Sequence, residues 1–232
     1  MTARDQILAD IRAALGRASV ATPARNAKPA AGAITLPSAA PAPLVAPLLR
    51  HPHMDRNLYV PLFVRSLEKL AGKAFVVPNP DAVADVLRPL MQAKQAVASN
   101  APFLKTCGVT ALDRVHSGFM DRAGLRSACA TTDIGITSAD YALAETGSLV
   151  MLSSVEEARL ISLLPPVHVA VIPRSRILAN LDELLATIPK PADRTSSMVL
   201  ITGGSRTADI EQILIRGVHG PGEVYTVIVE NS

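Results

Sequence analysis

From residue 58 to residue 229 the chain alternates short apolar runs with segments of helical period, and this alternation limits the possible folds more than any other feature. Apolar residues recurring every three or four positions mark one face of a helix. A bounded apolar run of about four to eight residues marks a strand buried on both faces. The pattern predicts helices over 58–70, 82–93, 156–163, 180–188 and 207–216. It predicts strands over 74–77, 96–99, 148–152, 168–172, 197–201 and 225–229. Strands that alternate with helices pair in parallel, so the predicted fold is α/β: a layered, mainly parallel sheet with flanking helices. Residues 104–130 show no readable period, and no internal repeat is visible.

The first fifty residues are of a different kind. Thr2-Ala3-Arg4-Asp5 has the form of a capping box, and Ile7, Leu8, Ile11 and Leu15 follow at helical spacing until Gly16, predicting an amphipathic helix over 1–16. Residues 17–50 are rich in Ala and Pro, and prolines at 23, 29, 37, 41, 43 and 47 deny the backbone regular pairing, as in a flexible linker. An α/β domain over 51–232 remains. The net charge of +3 is uneven: residues 1–50 hold six Arg/Lys against two acids, while the rest is slightly acidic. With 3% aromatic residues and no Trp, the body lacks stacking platforms, which argues against nucleic acid.

No apolar signal-peptide centre follows Met1, and the most apolar stretch, 160–172, is broken by Pro165-Pro166 and too short to span a bilayer. A cytoplasmic chain with no membrane span is expected. Cys107 and Cys129 stand without a CxxC or a histidine–cysteine cluster, so no cofactor is expected to be held here through cysteine ligation, and both thiols read as structural.

Three stretches carry residue types that chemistry needs. In TGGSRTADIE (202–211), amides at Gly203, Gly204 and Ser205 would converge on an anion, the following helix start would add positive partial charge, and Arg206 would supply a fork for phosphate or carboxylate. The same residues equally suit a plain helix start, with Ser205 or Thr207 as cap and Asp209 and Glu211 offsetting the dipole. The Gly-Lys-Ser/Thr ending of a P-loop is absent. In the second stretch, 136–150, Glu145 interrupts an apolar run just before a strand, as a nucleophile or base would, or as a carboxylate holding a turn. Asp140 reads as a cap. The third stretch, Leu164-Pro165-Pro166-Val167-His168, delivers a histidine to a strand, and His219 sits in a tight loop. Either is a proton carrier or a hydrogen-bonded structural residue. His51 and His53 alternate in His51-Pro52-His53 but border the linker without other ligands, and no HExxH spacing is present, so nothing points to a metal.

Taken in order, GITSADYALAETGSLVMLSS, LLPPVHVAVIP and TGGSRTADIEQILIRGVHGPGEV resemble the lactate utilization protein C family, whose shared unit is the LUD domain. The resemblance implies a fold similar to the NagB/RpiA/CoA-transferase group. It also implies a part in oxidising L-lactate to pyruvate with companion iron–sulfur subunits. It carries over motif positions and no catalytic assignment; on the chemistry of the residues themselves Glu145 is the candidate catalytic carboxylate, and Thr146, Gly147, Ser148, His168, Gly203, Gly204, Ser205, Arg206, Asp209 and His219 are the candidate ligand residues. Two readings follow. One is a non-redox component of a lactate-oxidising complex that binds a small anion. The other is a free-standing enzyme of the CoA-transferase or cyclo-ligase kind, binding CoA, ATP or folate. In either, Glu145 and the Gly203 loop are expected to share one edge of the sheet.

Overall fold

The computed structural model describes Asp5, Gln6, residues 54–208 and residues 214–232. Asp5 and Gln6 are helical and exposed; the rest of the predicted N-terminal helix and all of the linker lie outside the described residues. The strands and helices of residues 54–232 belong to one unit, spanning 53–232.

In chain order the strands are β1 (Lys73–Val77), β2 (Ala96–Ala98), β3 (Val115–His116), β4 (Ile134–Ser138), β5 (Tyr141–Leu143), β6 (Ser148–Leu152), β7 (Val167–Pro173), β8 (Ile177–Leu178), β9 (Met198–Ile201), β10 (Arg206–Ala208), β11 (Leu214–Arg216) and β12 (Glu223–Val229). The helices are α1 (Tyr59–Lys69), α2 (Val83–Met91), α3 (Pro102–Thr106), α4 (Arg122–Thr131) and α5 (Leu181–Thr187). Six strands form one sheet in the order β1-β12-β7-β4-β2-β3, every pair parallel.

The central strand β7 shows why its sequence is apolar throughout. Val167, Val169 and Val171 face a cluster with Val83, Leu87 and Leu104, contributed by α2 and α3. Ala170 and Ile172 face the other way, onto Phe63 and Leu67 of α1 and onto Leu149 and Met151. A strand covered on both sides needs apolar residues at every position, not at alternate ones.

Leu149 and Met151 belong to a second layer that the α/β pattern did not announce: a four-stranded sheet, β8-β5-β6-β9. Its inner side packs on the parallel sheet, while Leu143, Val150 and Leu178 on its outer side are covered by Leu184 of α5 and by Ile188. Asn180 caps α5, its Oδ1 accepting from Glu183 N–H at 3.1 Å.

Two predicted helices are corrected. Residues 156–163 form only a 3-10 turn, Arg159–Ser162. The Ser154 hydroxyl takes the Glu156 and Glu157 amides at 3.1 and 2.9 Å, fixing a local turn in place of a helical start, and Pro165-Pro166 closes the segment soon after. Over 207–216 the described flanks are strands: β10 and β11 pair antiparallel, Arg206 with Arg216 and Ala208 with Leu214. Asp209 lies outside the described residues.

Candidate functional site

Most of the residues singled out in the sequence gather at the amino-terminal end of the parallel sheet. Glu145, Thr146 and Gly147 make the tight turn between β5 and β6; Glu145 is exposed, its amide donating to Ala179 O and its carbonyl accepting from Ser66 Oγ. Gly147 has φ +68°, and a Cβ there would strike the Ser66–Leu67 backbone of α1, so only glycine fits. Ser148 Oγ lies 2.7 Å from both Thr146 Oγ1 and Thr202 Oγ1. That pair of hydroxyl bonds joins the Glu145 turn to the Gly203 loop.

The loop is also bonded to its own chain. Ser205 N–H donates to Pro221 O at 2.7 Å, Gly217 N–H to Ser205 O at 3.0 Å, and Gly222 N–H to Pro166 O at 2.9 Å. Gly204 packs so closely on the Gly222 carbonyl that a Cβ would overlap it. The Arg206 guanidinium donates to Leu70 O, the C-cap of α1, where its charge suits the negative end of the helix dipole. His219 is exposed in the loop that Ser205 closes. Residues 206–208 form a strand where the sequence predicts a helix start.

His168 is set apart from this cluster. It is fully buried on the face of β7 that looks toward the second sheet, with Nε2 2.7 Å from Thr137 Oγ1 of β4. Nδ1 has no hydrogen-bond partner, and burial pulls the ring down to about 4, so it is a neutral core imidazole near neutrality.

The opposite, carboxyl-terminal edge holds a different set. After β2 the chain moves outward to β3; after β4, its neighbour, it moves inward to β7. Adjacent parallel strands whose onward connections diverge leave a crevice beyond their carboxyl ends. A cleft of about 300 Å³ lies there, lined by Phe103, Ser138, Asp140, Ser154, Glu157 and Arg176 among others.

Glu157 is the least ordinary of these, a carboxyl only 7% exposed. Ser99 Oγ donates to its Oε2 at 2.8 Å, and Ser138 N–H reaches both oxygens at 3.3 and 3.4 Å, so the side chain ties the ends of β2 and β4 together. Burial outweighs those two bonds, and with Asp140 nearby pushes the group up to about 8. At neutral pH it is mainly the neutral acid. Asp140 is partly buried and also raised by burial, but Leu152 N–H donates to its Oδ2 at 2.7 Å and Arg176 stands close, both favouring the anion. Arg176 is exposed at the rim. Sequence reasoning took Asp140 for a cap, Glu157 for the start of a helix, and passed over Ser99, Ser138 and Arg176. The one signal available was the pair of acids, Glu156 and Glu157, a few residues after the strand at 148–152.

A layered α/β protein with a ligand-sized cleft at the switch point of its parallel sheet is the class that fold and site define. Within that class, the LUD domain model matches residues 60–229, and the chain belongs to the LUD domain family. It is 41% identical over 103 residues to lactate utilization protein C of Halalkalibacterium halodurans, covering 43% of this chain and 45% of that one. Against the protein of the same name from Bacillus licheniformis the identity is 39% over 103 residues, or 43% of each. The chain thus spans less than half the length of these curated relatives. The crystal structure of a DUF162 family protein from Deinococcus radiodurans superimposes with a TM-score of 0.62 at 18% identity, over 76% of this chain and 99% of that one, a likeness of fold. Among the described residues no helix is long and apolar enough to cross a membrane.

Proposed function

We propose that this chain is the non-redox component of a system that oxidises L-lactate to pyruvate, working with iron–sulfur partner chains and binding a small carboxylate in the switch-point cleft. The observation that carries the reading is the cleft's mixed chemistry. Arg176 at the rim offers a fork to a carboxylate, and the neutral acid Glu157 offers a proton to a neighbouring hydroxyl or oxo oxygen. The name of the relatives supports the same substrate class.

Taking two electrons from a hydroxy acid requires an acceptor. Cys107 and Cys129 lie in separate apolar clusters, with burial pushing both thiols up to about 11, which supports giving electron transfer to other chains. On this reading the Gly203–Arg206 loop, the Glu145 turn and His219 brace the far end of the sheet, the chain works in the cytoplasm, and its layered α/β body is of the NagB/RpiA/CoA-transferase kind.

The test supplies the purified chain with L-lactate and artificial dye acceptors, alone and then with iron–sulfur partner chains. Turnover should need the partners, and Arg176→Ala should lower kcat/KM for lactate about ten- to a hundredfold, the worth of a charge-assisted hydrogen bond. Steady oxidation by the isolated chain overturns the reading, as does partner turnover indifferent to this chain.

A further inference from the structure

Two carboxyl groups share the switch-point cleft, and their surroundings treat charge differently. Asp140, half-buried, has an amide and the Arg176 cation to hold its anion; Glu157, buried, has a hydroxyl and an amide but no cation beside it. Burial raises both, but paired carboxyls held this unequally, one beside a cation and one buried without it, suit a base and an acid. The third acid of the cleft, Glu156, is exposed, and its carboxylate accepts from Ser154 Oγ at 3.0 Å, so it stands outside the pair.

We propose that this cleft enolises a small 2-oxo acid, Asp140 taking a proton from the carbon next to the oxo group while Glu157 gives its proton to the oxo oxygen. The proposal rests on the cleft being the carboxylate site, with Arg176 holding the substrate's own carboxylate. In the step the C–H bond breaks and its electron pair becomes a carbon–carbon double bond. The oxo π pair becomes the new O–H bond with the proton of Glu157. Asp140 ends protonated, Glu157 ends ionised, and no electron leaves the site.

The contacts already present suit that outcome. Ser99 Oγ–H and Ser138 N–H donate to Glu157 and stabilise the carboxylate that forms there, so the acid is positioned both before and after transfer. Asp140 is anchored through Oδ2 to the β6 end by Leu152 N–H, which fixes the base without protonating it. Reversal returns the substrate, with any proton lost to Asp140 open to exchange with solvent.

The probe is pyruvate, incubated with the full chain in D2O and followed by proton NMR of its methyl group, with pyruvate binding measured by calorimetry on the same samples. The expected result is deuterium entering the methyl group in proportion to protein, slowed about a hundredfold or more in Glu157→Gln and in Asp140→Asn. Arg176→Ala, at an exposed position that leaves the core intact, should weaken pyruvate binding and slow exchange at low pyruvate. Binding without protein-dependent exchange overturns the enolisation and leaves the carboxylate site standing. Exchange that survives undiminished in folded Glu157→Gln overturns the assigned roles. Failure of pyruvate to bind overturns both the site and the proposal.

Discussion

Glu157 and His168 are both buried, yet burial moves their proton affinities in opposite directions because one is charged when it loses a proton and the other when it gains one. Glu157 rises from its ordinary 4.5 to about 8. The folded chain therefore keeps a proton that the unfolded chain has lost, and this contribution to stability, full below 4.5, is lost as pH rises through about 8. His168 falls from 6.5 to about 4, so its contribution is present above 6.5 and lost as pH drops through about 4. Between 4.5 and 6.5 the two slopes oppose, and only variants separate them. Glu157→Gln should gain stability relative to the natural chain on going from about pH 5 to about pH 8, read from urea midpoints at each pH. A difference that stays constant across that range contradicts a buried neutral acid. His168→Gln should lose less stability than the natural chain on acidification below about pH 6.5.

At the scale of elements, the β5–β6 turn and the end of α1 depend on each other. Gly147→Ala adds a Cβ against the α1 backbone at positive φ, and should cost more than about 1 kcal/mol in chemical denaturation, with pyruvate affinity retained in the folded fraction. Arg206→Ala removes a cap from α1 in exposed surroundings and should cost about 1 kcal/mol or less. Legibility in the sequence followed burial. β6, β7 and β12 read directly as strands, because packing on both faces forces apolar runs, whereas the edge strand β9 reads from its apolar residues although Leu200 is exposed. The segment 156–163 misled because its apolar spacing is helical while the Ser154 hydroxyl commits the backbone to a turn. The strands at 206–208 and 214–216 were hidden by a spacing of Ile210, Ile213 and Leu214 that suits a helix equally well, and it is pairing with each other that makes them strands. β3, a two-residue strand in the unreadable stretch 104–130, is too short to impose a period.

At the scale of the whole molecule, the Glu145 turn and the glycine-rich Gly203 loop lie at one end of the parallel sheet and the candidate chemistry at the other, although Ser138, Asp140 and Ser154 of the cleft belong to the first family string. The strings were conspicuous because glycines, prolines and hydroxyls crowd together in sequence where loops must pass backbone to backbone, as Gly204 passes Gly222. The cleft was inconspicuous because its parts are far apart in the chain: Ser99 and Glu157 are 58 residues from each other and meet only when β2 and β4 become neighbours. Strand order is a long-range property that local periodicity does not carry, and the switch point exists only once the order is known. The measurement that separates the two ends is a calorimetric titration of pyruvate into the natural chain, Arg176→Ala and Arg206→Ala, each checked for folding by its thermal transition. A ligand held at the carboxyl edge predicts that Arg176→Ala weakens binding about tenfold or more while Arg206→Ala lowers the transition temperature and leaves Kd unchanged. The reverse pattern, with affinity lost in Arg206→Ala and kept in Arg176→Ala, would return the site to the Gly203 loop.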